Sequence, residues 1–248
     1  MTCTIGLAAC VFRSPEILSL ARAAGFDFLM VDMEHGSASL AEVANLCLVG
    51  QEAKFPVQVR VPSAGSDDLT RVADCGASGI IVPHVDDAET ARAIVDRLRF
   101  PPLGRRSIPS PVLVAGFRPV PVAELVCASE KALRITAMIE SAEGLADVEA
   151  IAATPGIDAI MVGPNDLAQS LGRSVDIDHP KVRQAFDTIG RATLAAGKTF
   201  AVIGLPLDRV RSHALDVGAT MVVAANEINL LFDAAAERLD RMRDLTRR

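Results

Sequence analysis

The chain has 248 residues and a formal net charge of −6, with 23% charged residues and no Trp or Tyr. Nucleic-acid binding needs a cationic surface against the phosphates and usually aromatic platforms for the bases, so this composition argues against a nucleic-acid partner. An α/β barrel of about 250 residues forms one domain, and a chain of this length can bury a large core. We therefore expect a single domain over residues 1–248.

The N-terminal segment and the apolar runs argue against export and against a membrane anchor. The segment MTCTIGLAACVF has no charged residue before its short apolar run, and nowhere do about 18 apolar residues follow one another without a charge. The five cysteines include no C-x-x-C pair, which is typical of reduced thiols. We expect a cytoplasmic protein.

Short apolar runs alternate with longer helical patterns along the chain. The runs are continuously apolar rather than strictly alternating, which favours parallel strands buried on both faces. The predicted strands are residues 4–10, 26–32, 56–61, 79–85, 134–140, 157–163, 198–204 and 219–225. The predicted helices are residues 14–25, 39–53, 66–76, 86–99, 142–153, 180–196, 207–218 and 226–246.

Eight strand–helix units in about 250 residues predict an α/β fold of the (β/α)8 type, a TIM barrel. A doubly wound open sheet is the competing topology. The last predicted helix, residues 226–246, is the longest, and its apolar stripe fits packing either on its own barrel or on a neighbouring subunit. The stripe comprises Ile228, Leu231, Phe232, Leu239 and Met242.

One connection is irregular. Residues 100–124 carry six prolines and show neither a helical nor a strand period. Long irregular loops in compact domains are commonly functional or disordered, so this segment is a candidate for a functional loop.

Polar residues stand where the predicted strands end. In a (β/α)8 barrel the C-terminal ends of the strands build the active site. The residues at these ends are Asp32, Glu34, His35, Arg60, Pro83, His84, Glu140, Ser141, Gly163–Leu167, Gly204 and Ala225–Glu227. Unpaired charges inside a barrel would be very costly, whereas at its mouth they can pair, bind a metal ion or meet a substrate.

The residue types at this mouth favour metal-assisted carbanion chemistry over a Schiff base. A Schiff-base enzyme needs a lysine there, and none of the four lysines is predicted at the end of a strand. The carboxylates of Glu140 and Asp166 lie on neighbouring strands and suit Mg²⁺ or Mn²⁺, with Co²⁺ as a further option. His35 can serve as a base and Arg60 as a cation for an anionic substrate.

Each of these residues also has a structural interpretation. Asp166 can be a helix N-cap, since Asp is a favoured cap, and Arg60 can form a salt bridge between barrel layers. His35 can be a hydrogen-bonded structural histidine, and His84, which has no predicted partner, fits that role better. The joint arrangement carries more weight than any single member.

Several segments in a fixed order resemble the HpcH/HpaI family of metal-dependent pyruvate aldolases, from about Gly6 to Asn226. The matching segments are FDFLMVDMEHG, VQVRVP, DCGASGIIVPHVDDAETAR, FPPLGRR, IESAEGL and IDAIMVGPNDLAQSLG. The resemblance implies a class II aldolase with a (β/α)8 fold. Such a carbon–carbon lyase reversibly cleaves a 4-hydroxy-2-oxo acid to pyruvate, or a close 2-keto acid, and an aldehyde.

The resemblance implies roles for four residues in proton transfer and substrate binding. His35 would be the proton-transfer base, and Asp32 would help to hold it. Arg60 would bind the pyruvate carboxylate and steady the enolate oxygen. A further family aspartate aligns with Asp74, which the predicted strands place at the opposite face from His35. Either a neighbouring subunit supplies this aspartate or the predicted strand boundary is wrong.

The resemblance also implies the metal ligands. Glu140 and Asp166 would hold the divalent ion, and the backbone N–H groups of Asn165 and Asp166 would hold the keto-acid carboxylate, in agreement with a helix N-terminus as an anion site. Met138 stands where the family usually has glutamine, and a thioether is a weak acceptor that cannot donate a hydrogen bond.

The family assembles as hexamers in which the last helix packs on a neighbour, so the resemblance implies a homo-oligomer, a hexamer. The aldehyde pocket would be lined by the 100–124 loop, by the end of strand 8 and by another subunit. Two alternatives stay open. One is a lyase of the citrate-lyase β type acting on acyl-CoA esters, although the chain has no obvious basic patch for a CoA diphosphate. The other is a barrel that binds metal and keto acid without turnover, which Met138 favours.

Overall fold

The computed structural model describes residues 3–110 and 112–247, so Pro111 of the predicted 100–124 loop lies outside the described residues. The strands are β1 Thr4–Ala9, β2 Phe28–Asp32, β3 Val57–Arg60, β4 Gly79–Val82, β5 Arg134–Ile139, β6 Ala159–Val162, β7 Thr199–Ile203 and β8 Met221–Asn226. Across these described residues the eight strands are parallel and close into a barrel in chain order. The predicted (β/α)8 barrel is confirmed, and the pairing of β1 with β8 excludes an open sheet.

The helices surround the barrel. They are α1 Glu16–Ala24, α2 Leu40–Ala53, α3 Asp68–Asp74, α4 Ala88–Leu98, α5 Val122–Ala132, α6 Ala142–Ala146, α7 Val148–Ala153, α8 Pro164–Ser170, α9 Pro180–Ala195, α10 Val210–His213 and α11 Glu227–Thr246. The predicted helix 142–153 is divided into α6 and α7, and α10 is flanked by short 3-10 turns. Helix α5 has no counterpart in the predicted set because it buries only Leu125 and Ser129 and so shows little apolar period.

An apolar layer fills the inside of the barrel. It consists of Ala8, Phe28, Met30, Ile81, Met138, Met161, Ala201, Met221 and Val223. Successive side chains of a strand point to opposite faces, so a residue two positions further along faces the same way. Asp32 follows Met30 by two positions, and Glu140 follows Met138 by two. The polar groups therefore form the next layer, between the apolar filling and the mouth.

The described part of the proline-rich segment lies at the other end of the barrel. Nε2 of Gln51 donates a hydrogen bond to the carbonyl oxygen of Leu113 at 2.8 Å. The Leu113 side chain covers Gly76, where an added Cβ would come within 2.7 Å of Leu113 Cδ2. Because Gly76 lies between α3 and β4, this contact is at the N-terminal end of the strands. The expectation that the loop lines a pocket at the mouth is therefore wrong within one chain, and only another subunit could supply it there.

Helix α11 is largely exposed in the single chain. Its exposed apolar residues include Leu231, Phe232, Leu239, Met242 and Leu245, and Phe232 is 71% exposed. Every residue of the stripe is at least 38% exposed in the single chain, and its packing on a neighbouring subunit stays a prediction. Among the described residues, no helix combines the length and the apolar composition needed to cross a bilayer.

Candidate active site

Asp32 and Arg60 form a two-point ion pair at the mouth of the barrel. Nε and Nη2 of Arg60 donate to Oδ1 and Oδ2 of Asp32 at 3.0 and 2.6 Å. The register of β2 with β3 places these two residues opposite each other, which is why their side chains meet. The Asp32 side chain is 1% exposed, so the guanidinium is fixed by a fork-shaped contact inside the protein.

Asp32 stays ionised although it is buried. Burial alone would raise the pKa of this carboxyl, but hydrogen bonds from Arg60, its positive charge and two backbone N–H groups hold the pKa below its ordinary value. The two N–H groups belong to Glu34 and His35 and lie 3.0 and 3.3 Å from Oδ1. One carboxylate therefore orients both Arg60 and the loop that carries His35.

Glu34, His84 and Glu140 form a second cluster beside this pair. Nε2 of His84 lies 3.2 Å from Oε1 of Glu34, and Nδ1 of His84 lies 3.1 Å from Oε1 of Glu140. The backbone N–H of His84 donates to the same Glu140 oxygen at 2.7 Å. Ligand atoms of the three residues lie within 4.8 Å of one another, which is a suitable spacing for a metal ion.

The sequence analysis gave Glu34 no role and favoured a structural role for His84. The adjacency of strands β4 and β5 was the signal that could have found His84, because neighbouring strand ends bring their following residues together. The position of the Glu34 side chain is less predictable, because its carboxylate reaches across the mouth to Arg60 and His84. Its Oε2 lies 2.8 Å from Nη1 of Arg60, but the contact lacks hydrogen-bond geometry and this buried oxygen has no donor among the described residues. This oxygen therefore faces the Arg60 guanidinium, while Oε1 of Glu34 faces His84 in the three-residue cluster.

Glu140 is buried in a crowded acidic environment. Burial raises the pKa of its carboxyl above the ordinary value, the hydrogen bond and charge of His84 oppose the rise, and the charges of Glu34 and Asp166 add to it. Gly163 makes room for this side chain, because an added Cβ there would stand 2.6 Å from Glu140 Oε2. A bound cation would relieve the repulsion among these carboxylates.

Asn165 and Asp166 lie in the first turn of α8, and both are exposed. The helix begins at Pro164, directly after Gly163. Gly163 has no side chain that could cap this turn, so no side chain at that position competes for its backbone N–H groups. Asp166 is not a member of the three-residue cluster. The assignment of Glu140 and Asp166 as the metal ligands stays a prediction.

His35 lies at the rim of the site. Its side chain is 69% exposed, and Nε2 lies 3.9 Å from Oε2 of Glu34. The loop beneath it is fixed, since the backbone N–H of Ser37 donates to the carbonyl oxygen of Cys10 at 3.3 Å. An added Cβ at Gly36 would stand 2.0 Å from the carbonyl oxygen of Asp32, so the chain passes close to its own backbone there. The imidazole can therefore meet both solvent and a substrate.

Glu227 holds the start of α11 against the end of β1. It is 4% exposed, and its Oε1 accepts the backbone N–H groups of Cys10, Val11 and Phe12 at 2.7, 2.5 and 2.9 Å. The thiol of Cys10 in turn donates to Oδ2 of Asp32 at 3.8 Å. Burial, with the negative charges of Asp32 and Glu227, raises the pKa of this thiol to about 12, so it remains a protonated donor. The sequence analysis had placed Glu227 at a strand end without a role.

Two further residues that the resemblance singled out, Asp74 and Met138, lie outside the polar layer at the mouth. Asp74 ends α3 at the N-terminal side of the barrel, where Nη2 of Arg106 donates to its Oδ1 at 2.6 Å. The structure therefore does not bring Asp74 to His35 within one chain. Met138 is fully buried in the apolar layer below Glu140.

Comparison with known proteins identifies the family and the relatives of this chain. The family model described as HpcH/HpaI aldolase/citrate lyase matches residues 11–234. A 4-hydroxy-4-methyl-2-oxoglutarate aldolase of Hapsidospora irregularis is 34% identical over 230 residues, covering 90% of this chain and 84% of that protein. A 5-keto-4-deoxy-D-glucarate aldolase of Escherichia coli is 34% identical over 227 residues, covering 91% of this chain and 86% of that protein.

A solved structure agrees over nearly the whole length. The crystal structure of an HpcH/HpaI aldolase from Desulfitobacterium hafniense superposes with a TM-score of 0.91 at 29% identity. The superposition covers 97% of this chain and 93% of that chain.

Proposed function

Since the chain belongs to the HpcH/HpaI aldolase/citrate lyase family, we propose that it is a metal-dependent aldolase that cleaves a 4-hydroxy-2-oxo acid to pyruvate, or a close 2-keto acid, and an aldehyde. The observation that carries this proposal is the convergence of one fixed guanidinium with a cluster of buried acidic ligand atoms at the mouth of the barrel. An anionic keto acid and a divalent cation are the partners that such a set of charges can bind together.

The residues present fit a divalent cation, Mg²⁺ or Mn²⁺, with Co²⁺ as a further option. We assign Glu140 and Asp166 as its protein ligands, and the position of Glu140 Oε2 over Gly163, at the start of α8, supports this pair. Glu34 and His84 lie within reach as further ligands or as partners of bound water. When bound, such an ion supplies a Lewis acid that polarises the keto group and stabilises negative charge on its oxygen.

Arg60 supplies positive charge where the negative charge develops. Asp32 takes two of its N–H groups and Glu34 lies beside a third nitrogen, so the guanidinium is held before the substrate arrives. A preorganised donor of this kind stabilises the enolate oxygen without moving during the reaction. The backbone N–H groups of Asn165 and Asp166, in the first turn of α8, would hold the keto-acid carboxylate.

His35 is the group that moves the proton. In cleavage it takes the proton of the 4-hydroxyl, through a water molecule, while the bond between C3 and C4 breaks, its electron pair stays on C3 as the enolate, and the aldehyde leaves. A proton from water is then added at C3 and gives pyruvate. In the reverse direction His35 returns its proton to the new hydroxyl. Its exposed ring at the rim of the site supports this role, and Asp32 contributes by holding the backbone N–H of His35.

Assembly is part of the same proposal. We assign the chain to a homo-oligomer, a hexamer, in which the uncovered stripe of α11 packs on a neighbour. Asp74, at the far end of its own barrel, would then act in a neighbouring subunit's site. Light scattering tests the assembly, and Phe232→Asp should reduce the mass, while Arg241→Glu on an exposed part of α11 serves as a control.

Cleavage of a 4-hydroxy-2-oxo acid by metal-free protein tests the function. EDTA-treated protein should be inactive, and added Mg²⁺ or Mn²⁺ should restore activity. Glu140→Gln and Asp166→Asn should remain inactive at saturating metal with unchanged circular dichroism, whereas Glu149→Gln, on the outer surface of α7, should behave as wild type. Full activity without metal would remove the metal from the mechanism.

A further inference from the structure

A cavity adjoins the active site beside Asp32 and Arg60. Its volume is about 440 Å³, and it lies between the ends of β7 and β8 and the first two turns of α11. Asp32 and Arg60 belong to its lining, so it is continuous with the place where the keto acid is bound. Whatever reacts with the enolate at Arg60 can extend into this space.

The charges around this cavity are unfavourable for an anion. Asp32, Arg60 and Asp233 are the charged residues among its described lining, and Arg60 is already engaged by Asp32 and Glu34. Asp233 makes no ion pair with any of the described residues and lies on the exposed side of α11. Within one chain, a carboxylate placed here would meet Asp233, and Arg60, the one cation of the described lining, is already paired; such like-charge contacts act against binding.

The polar groups of the cavity suit hydroxyls. Oδ1 of Asn226 accepts the backbone N–H of Asn229 at 2.8 Å, which leaves the Asn226 amide nitrogen as a donor. Asn229 and Asp233 stand one helical turn apart on the same face of α11 and add amide and carboxylate groups. The opposite wall is apolar, formed by Ala8, Leu205 and Pro206 among others. A hydroxyl group can donate to Asp233 and also accept from an amide. A carboxylate can only accept.

From this we infer that the aldehyde fragment is neutral and hydroxylated, and that Asp233 is a specificity-determining residue that rejects aldehydes bearing a carboxylate. The inference rests on the proposed aldolase function and names the substrate class of the same site. In the cleavage direction it assigns a 2-oxo acid with one carboxylate, at C1, and with hydroxyls beyond C4. In the condensation direction it assigns pyruvate and a hydroxyaldehyde.

The test compares two aldehydes in condensation with pyruvate. D-glyceraldehyde is the neutral probe and succinic semialdehyde the anionic one. Wild-type protein should favour glyceraldehyde in kcat/KM, and Asp233→Lys should shift the ratio toward the semialdehyde by about tenfold, as expected for reversing one charge near the bound group. Asp240→Lys makes the same charge change two turns further along α11, outside the cavity, and should keep the wild-type ratio.

Preference of the wild type for the semialdehyde, or an unchanged ratio in Asp233→Lys, would overturn the inference. Exchange of the pyruvate methyl protons in D₂O needs no aldehyde, so it monitors the proposed function separately. If exchange occurs but glyceraldehyde is not condensed, the substrate class is wrong and the aldolase half-reaction stands. If exchange is absent, the proposed function itself is wrong.

Discussion

The carboxylate of Asp32 holds the guanidinium of Arg60 by two hydrogen bonds, of 2.6 and 3.0 Å, inside the mouth of the barrel. A lysine could carry the charge of Arg60, but it cannot form this planar contact. The catalytic value of Arg60 should therefore depend on its geometry as well as on its charge.

Arg60→Lys should lower kcat by about 10²- to 10³-fold, the usual cost of losing one preorganised donor at a developing oxyanion. Steady-state cleavage kinetics measure this loss, and circular dichroism shows whether the fold is retained. Arg71→Lys, an exposed arginine on α3, is the matched control and should keep wild-type kcat. An Arg60→Lys variant with wild-type kcat would show that charge alone is sufficient.

The lowered pKa of Asp32 links the ion pair to acid stability. A carboxyl whose pKa in the folded state lies below its ordinary value of 3.8 binds its proton more readily in the unfolded chain. Its contribution to stability is therefore complete above 3.8 and is lost as the pH falls through the lower folded-state pKa. The free energy of unfolding of wild type minus that of Asp32→Asn should be larger at pH 7 than near pH 3. Urea denaturation at both pH values tests this, and a constant difference would contradict it.

Gly163 leaves space for the Glu140 carboxylate. In Gly163→Ala the added Cβ would stand 2.6 Å from Oε2, so the carboxylate must move or the chain must shift. We expect a destabilisation of about 1–3 kcal/mol, the usual cost of overpacking, together with weaker metal binding. Thermal unfolding and Mn²⁺ titration measure the two effects. Gly65→Ala, whose Cβ would meet only Ser63 Oγ at 3.9 Å, should change neither quantity.

Glu227 should be a structural anchor of the site. Glu227→Ala leaves three backbone N–H groups without their acceptor, and one buried unpaired group costs about 1–3 kcal/mol. Glu227→Gln keeps an acceptor oxygen and should recover most of the stability. Chemical denaturation of both variants tests this, with Glu237→Ala, an exposed residue of α11, as the control. Equal stability of Glu227→Ala and wild type would show that the anchor is dispensable.

The barrel was predictable because its strands are continuously apolar and its helices regular, and because strand order in such a barrel follows chain order. The same rule placed Asp32, Arg60 and Glu140 at one end. The alternation of side chains then explains why these residues face inward, two positions beyond Met30, Gln58 and Met138.

The side-chain directions of Glu34, His84 and Glu227, and the placement of the proline-rich loop, were not predictable from the sequence. His84 has a φ of 52°, in the left-handed region, and nothing in the segment IVPHVD indicates this turn toward Glu140. The partners of Glu34 and Glu227 lie across the mouth and far away in the sequence. Helical or strand periodicity, which is local, does not predict such contacts. The proline-rich segment has neither a helical nor a strand period. Its position at the other end of the barrel could therefore not be predicted.

Formation of the pyruvate enolate beside Arg60 and the Glu34–His84–Glu140 cluster is the central step of the proposed function. Proton NMR of pyruvate in D₂O with purified protein, with and without Mg²⁺ or Mn²⁺, measures it before any aldehyde is known. We expect metal-dependent loss of the methyl signal in wild type and no loss in Glu140→Gln. Folded wild-type protein that exchanges no methyl protons with either ion would contradict it, and would favour an acyl-CoA lyase or a barrel that binds keto acids without turnover.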